Sequence, residues 1–387
     1  MLLNLDSNAS YGLLPAVRET LSCLEFGSNP NSVHSLGQKA RALVEDSRIR
    51  VRQLLNCHSQ DRIIFTSGAT EANQTALFSP FWQDCFVDGQ LVVLSVEHPS
   101  ILGPAERLAE MGIEVVVIPY GDQRSILEAL RKNINEKTRL VSLIFANNET
   151  GEILPIADWS KALKSIKPDL LIHSDAAQAL GKVAFCFDSL GVDYLTVSGH
   201  KIGGLPGVGA LAVRHGAPFS PLIVGGPQEL HSRAGTENVG GIVSFGVAAS
   251  EWQHHGKAFR ARMKELKQVI WESISVNYPA ASLNFVADDS LPNTLNIFFP
   301  GVKADDLVVA LDLAQICVSS GAACASGKPD PSHVLLAMGY DTERARSSLR
   351  ISVSAQQSHA EIAIAARRIV DIAKNLHSDQ GVSRDSI

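Results

Sequence analysis

The sequence predicts an α/β protein with a large domain, built on a mostly parallel seven-stranded sheet sandwiched by helices, and a smaller α+β domain. Two observations carry that expectation. Between residues 62 and 214, short runs rich in Val, Ile and Leu alternate with longer stretches of helical periodicity, punctuated by Gly, Pro, Asn or Asp. Beyond residue 214 this pattern breaks into shorter mixed elements, and 387 residues are enough chain for two or three domains with full cores.

In chain order, an amphipathic helix is expected over 38–55, with Ala40, Leu43, Val44, Ile49, Val51 and Leu54 at helix-compatible intervals. Strands are expected at 62–66, 91–94, 114–118, 139–145, 170–173, 194–197 and 210–214, each a short β-branched or leucine-rich run bounded by turn residues. Helices fall between them, for instance over 70–78 and 100–110. The Gly- and Pro-rich stretch 215–241 is too long for a simple connector, which points to a functional loop. A long helical region follows to about residue 276. Strands at 294–299, 316–318 and 349–353, with helices near Asp305 and Glu361, make up the smaller domain. The polar end, 378–387, reads as a frayed tail.

Composition excludes several classes of function. Hydrophobic residues at 45% and charged residues at 19% describe an ordinary globular chain rather than a disordered one. A net charge of −6, with no run of five like charges, argues against nucleic acid as the principal ligand. The six cysteines form no C-x2-C pair, so no metal is expected and a reducing, cytoplasmic setting suits them. The N-terminus has no basic leader, and no apolar segment of membrane-spanning length occurs.

Three constellations can carry chemistry. The turn Thr66-Ser67-Gly68-Ala69-Thr70 leads from a strand into a helix, where free N–H groups and a hydroxyl suit an anion; a plain helix cap is the alternative. Ser198-Gly199-His200-Lys201 ends a strand and precedes a glycine-rich run, which suits a Schiff-base lysine, although an isolated lysine is usually surface. Asp175, expected just past a strand end, can keep a pyridine nitrogen protonated or simply cap a helix. Together a phosphate cup, an aspartate and a strand-end lysine specify a pyridoxal 5'-phosphate (PLP) site better than any one of them. His98 follows a strand and can stack on a flat ring or shuttle protons; Asn148 lies in a turn that can hold a ring hydroxyl or be only a turn. The third constellation is Cys324 amid Ser, Ala and Gly, accessible enough for a nucleophile, with Arg350 downstream able to clamp a carboxylate or form a structural ion pair.

In these motifs the chain resembles the cysteine desulfurases of the NifS and IscS type, PLP enzymes of the fold-type I, class V aminotransferase group. The resemblance runs through Asn29 to His34, Thr66 to Asn73, Val96 to Pro99, Asn147 to Gly151, His173 to Gln178, Ser198 to Lys201, Arg233 to Asn238, Ser319 to Gly327 and Ser332 to Leu335. It implies residues 15–255 as the PLP-binding domain, and 1–14 with 256–387 as a small domain carrying the cysteine loop, 319–331. Lys201 would hold the cofactor covalently and move protons, His98 would stack on the ring, Asp175 would pair with its nitrogen and Gln178 would reach its oxygen. Asn148 would orient ring or substrate. Gly68, Ala69, Thr70, Ser198 and His200 would bind the phosphate, joined by Thr236 from a neighbouring subunit, hence a homodimer with shared sites. Asn8 and Arg350 would hold the carboxylate of L-cysteine. Cys324 would take the sulfur as a persulfide, leave alanine, and pass sulfur to a protein acceptor such as an iron–sulfur scaffold or a sulfur carrier. The chain departs from the family pattern at Ser7-Asn8-Ala9-Ser10 and at Ala323 and Ala325.

Overall fold

The computed structural model describes residues 2–25, 27–82, 88–287, 290–320 and 330–382. The chain packs as two units. The larger holds Ser10–Ala146 and Leu154–Gly256; the smaller holds Met1–Ala9, Asn147–Ile153 and Lys257–Ile387. Two segments therefore fall differently from the expected division. Residues 10–14 go with the larger unit because Tyr11 and Leu14 donate their N–H groups to His200 O and Gly203 O. The turn Asn147–Ile153 goes with the smaller, where Gly151 O accepts from Leu291 N and Glu149 O accepts from Asn296 Nδ2.

In chain order, β1 is Leu3–Asn4; β2 (Arg62–Thr66), β3 (Gln90–Leu94), β4 (Glu114–Ile118), β5 (Thr138–Ile144), β6 (Leu171–Asp175), β7 (Tyr194–Ser198) and β8 (Gly209–Val213) form the sheet of the larger unit; β9 (Ser282–Leu283), β10 (Thr294–Phe298), β11 (Ile316–Cys317) and β12 (Ser348–Ser352) belong to the smaller. The large sheet has the order β2-β8-β7-β6-β5-β3-β4. Neighbours from β4 to β7 are parallel, while β8 runs antiparallel to both β7 and β2. Six strands consequently end on one edge, where ligands of open α/β sheets bind. β3, β7 and β8 are buried at every residue, as apolar runs covered by helices on both faces must be.

The polar end of β6 is where the hydrophobic pattern misleads. Ser174-Asp175 reads as a loop after the expected strand 170–173, yet the ladder continues through Phe145 N to Asp175 O at 2.9 Å, and the polar side chains are satisfied inside the sheet. His173 lies between Ser142 Oγ at 2.9 Å and Thr196 Oγ1 at 3.0 Å, and Ser174 Oγ donates to Leu143 O. Asp175 is thus the last residue of its strand rather than a residue beyond it.

The helix Ser35–Leu55 buries Gly37, Ala40, Val44, Ser47, Val51 and Leu55. Leu43 and Ile49, expected in its core stripe, are exposed, because small residues face inward: a Cβ added at Gly246 would lie 2.6 Å from Ser47 Cβ. From the same helix Arg48 reaches the outer edge of β2. It donates to Ile63 O at 2.6 Å and to both oxygens of Glu229, and Glu229 Oε2 also accepts from Phe65 N at 2.9 Å. Glu229 opens a run of three non-glycine residues with left-handed backbone, φ 49°, 54° and 64° at Glu229, Leu230 and His231.

The smaller unit pairs β12-β10-β9 antiparallel and β1-β11 parallel. Its last helix, His359–Val382, runs past the start of the expected tail, and its buried stripe is Ile362, Ala366, Ile369, Val370 and Ala373. Among the described residues no helix is long and apolar enough to cross a membrane.

Candidate active site

The larger unit gathers its candidate residues at the edge where the six strands end. Thr66, Gly209 and Ser198 stand in register across β2, β8 and β7. Only glycine fits at 209, since a Cβ there would come within 2.7 Å of the Gly68 carbonyl carbon. This close approach brings the Gly68-Ala69-Thr70 turn, at the start of the helix Ala69–Trp82, up against the row that ends in Ser198. Ser198 Oγ is buried and makes no hydrogen bond among the described residues. Lys201 closes a 3₁₀ turn, Gly199–Lys201, that follows β7 directly.

Asp175 is 5% exposed; its Oδ1 accepts from Ala177 N at 2.9 Å and its Oδ2 from Asn73 Nδ2 at 2.7 Å. His98 caps the helix Pro99–Glu110, with Nδ1 3.1 Å from Ser100 N and 2.8 Å from Ser100 Oγ. Glu97, beside it, is fully buried and accepts from Ile144 N at 2.7 Å. Burial first, then the charge of Asp175, drive its carboxyl well above the usual carboxylate range, toward its protonated form. His200 is pushed down to about 4 by burial and by the charges of Lys201 and Lys182. It is therefore neutral near pH 7 and offers an N–H rather than a cation. Gln178 is held through its Oε1 by the Nζ of the buried Lys182 at 2.7 Å. Thr236 is exposed and lines a cavity of about 180 Å³ with Thr66, Ser67 and Arg233.

In the smaller unit Asn8, Asn148 and Arg350 come together. Asn8 Nδ2 donates to Asn148 O at 3.1 Å and to Thr294 Oγ1 at 2.8 Å, while its Oδ1 accepts from Asn293 at 2.9 Å. Both of its amide protons are committed, so Asn8 buttresses the Asn148 turn. Arg350, 4% exposed, donates to Asp6 Oδ1 at 2.7 Å and to Asn148 O at 3.3 Å, but its buried Nε has no acceptor among the described residues. A guanidinium with one buried N–H unmet is prepared for a carboxylate. Ser319 exchanges both backbone hydrogen bonds with Arg350, fixing one end of the expected cysteine loop. At the other end Ser332 donates to Glu149. Cys324 itself lies outside the described residues.

Residues 3–364 match the family model "Aminotransferase class-V". The chain belongs to the class V aminotransferases. It is 40% identical to a cysteine desulfurase of Cereibacter sphaeroides over 92% of each chain, and 36% identical to cysteine desulfurase IscS 1 of Archaeoglobus fulgidus over 92% of this chain and 91% of that one. A solved NifS-like protein superposes with a TM-score of 0.89 at 31% identity, covering 97% of this chain and all of its own.

The residues of this class V aminotransferase fit PLP. The orphaned Ser198 hydroxyl and the first-turn N–H groups after Gly68 form a donor set for a phosphate, with open space where a Gly68 Cβ would sit. Asp175 offers a buried carboxylate for a pyridine nitrogen, and Lys201 an amine in the turn that follows the neighbouring strand β7. Four residues of this neighbourhood receive no role in the sequence reading: Asn73, Ser100, Glu97 and Lys182. A polar residue at 73, amid buried Ala72, Ala76 and Leu77 of one helix, is the signal that could have found the first.

Proposed function

We propose that this class V aminotransferase is a PLP-dependent cysteine desulfurase that converts L-cysteine to L-alanine and keeps the sulfur as a persulfide on Cys324. The observation that carries the reading is the strand-end row of Ser198 and Lys201 with Asp175 on the same edge, in a chain whose relatives are cysteine desulfurases. Bound PLP supplies an electron sink for charge left on the substrate, and a protonated pyridine nitrogen paired with a carboxylate deepens that sink.

The chain's own residues do the rest. Lys201 holds the cofactor and moves protons at its Nζ; His98 covers the ring and assists at its Nε2; Gln178 and Asn148 orient ring and substrate. Gly68, Ala69, Thr70, Ser198 and neutral His200 bind the phosphate, and Thr236 of a second copy completes the cup in a homodimer. Arg350 takes the substrate carboxylate on its unmet Nε, with Asn8 holding the turn behind it. The Cys324 thiolate forms an S–S bond to the substrate sulfur as the Cβ–S bond breaks. The electron pair of that bond stays with the substrate carbon, and a proton delivered there gives alanine. The persulfide is then passed to a cytoplasmic protein acceptor, an iron–sulfur scaffold or a sulfur carrier.

Incubating the PLP-loaded protein with L-cysteine and no reductant tests this. Intact mass should rise by about 32 Da, one sulfur, at Cys324 with alanine released, and Cys324→Ala should lose both while keeping bound PLP. Undiminished turnover in Cys324→Ala overturns the persulfide reading.

A further inference from the structure

We propose that Asn73 is a positioning residue: it ties Asp175 to His98 through the Ser100 hydroxyl, one of the two donors that hold the His98 ring in its Nε2–H tautomer. This deepens the desulfurase reading and rests on it.

Asn73 is fully buried on the second turn of its helix, and its Nδ2 is 2.7 Å from Asp175 Oδ2 and 2.8 Å from Ser100 Oγ. A primary amide has two N–H groups, and here one goes to each partner. A carboxylate can only accept, which fixes the amide with its nitrogen toward Asp175. Ser100 Oγ, having accepted, has its own proton for His98 Nδ1 at 2.8 Å. The Ser100 backbone N–H, which can only donate, points at the same nitrogen from 3.1 Å. Nδ1 must then present its lone pair, and the ring proton sits on Nε2. Protonating Nδ1 would displace both donors, so any proton that His98 exchanges leaves or enters through Nε2.

Stability is a poor explanation for the arrangement. Asn73 Oδ1 is buried and has no hydrogen-bond partner among the described residues, a defect that native cores rarely keep without a use. A leucine, with the same number of side-chain heavy atoms, would remove that unmet oxygen. What leucine cannot do is hold a carboxylate with one hand and the hydroxyl that faces a histidine with the other.

The test uses protein labelled with ¹⁵N-histidine, with and without PLP, the His98 signal being assigned by its loss in His98→Gln. In the wild type, long-range ¹⁵N–¹H correlations should show His98 as the Nε2–H form. Asn73→Leu should leave the Nε2–H tautomer, which the Ser100 backbone N–H still holds, but shift the absorption band of bound PLP and lower kcat about tenfold with KM for cysteine within about twofold. Ser100→Ala, which keeps the backbone donor but breaks the link, should leave the tautomer and reproduce the band shift and part of the kcat loss. It stands in if Asn73→Leu does not fold. An unchanged PLP band and kcat in Asn73→Leu, or an Nδ1–H ring in the wild type, overturns the inference. The wild-type tautomer and the band of bound PLP are read without turnover, whereas absence of alanine from the wild type would overturn the desulfurase reading instead.

Discussion

Two asparagines, one in each unit, give away both amide protons, and they differ at the third atom. Asn8 in the smaller unit has its Oδ1 met by Asn293, and its backbone N–H by Ser352 Oγ. Asn73 in the larger unit leaves its Oδ1 unmet in the core. A side chain satisfied at every atom is holding the fold; one that is satisfied only toward Asp175 and Ser100 is holding a geometry for something else. Arg350 belongs to the second kind, with two donors used and a buried Nε waiting.

Substitutions can break this contrast. The largest effect is expected at Arg350: Arg350→Ala should raise KM for cysteine on the order of a hundredfold, as loss of a charged, buried hydrogen-bonding pair does. A change below about threefold, read from steady-state kinetics, would remove Arg350 from the substrate site. Asn8→Ala should come next, costing about 3 kcal/mol of stability because Asn293 and Thr294 lose their partner inside the smaller unit. Urea midpoints at constant slope measure it. Asn73→Leu should cost less, about 1–2 kcal/mol, in the same assay, since losing its unmet Oδ1 offsets part of the cost of leaving Asp175 Oδ2 without a donor. Equal losses at Asn8 and Asn73 would erase the distinction between them.

Acid should sharpen it further, with the smallest effect. His173 and His200, both in the larger unit, are held below the ordinary histidine value of 6.5, His173 at about 3 by complete burial and His200 at about 4. The unfolded chain takes up these protons first, so their contribution is complete above pH 6.5 and is lost as pH falls toward the folded values. Between pH 6.5 and about 5.5 His173 alone should cost about 1 kcal/mol, and His173→Gln should flatten that part of the stability curve. A wild-type curve flat over this range would contradict the burial of His173.

Legibility in the sequence followed distance along the chain. The seven-stranded sheet was readable because each strand announces itself in five or so consecutive residues. The end of β6 was not, because Ser174 and Asp175 are polar and find partners on a neighbouring strand, at Leu143 O and Phe145 N. Lys201, Asp175, His98, Thr70 and Ser198 were readable as motifs beside strand ends, and the structure sets them on one sheet edge. Asn73 was not, since its two partners lie 27 and 102 residues away. The assignment of the Asn147–Ile153 turn to the smaller unit was equally hidden, being decided by Leu291 and Asn296.

The Arg48–Glu229 pair on β2 has a bearing on solubility. β2 is an outer strand of the large sheet, and its outward Ile63 carbonyl and Phe65 N–H are the groups another β-strand would seize. One ion pair blocks both, and the left-handed residues that begin at Glu229 keep the carboxylate in place. Within a single chain the sheet margin is therefore sealed by charge, and a Glu229→Ala chain should form sheet-rich aggregates on mild heating, well before its secondary structure melts.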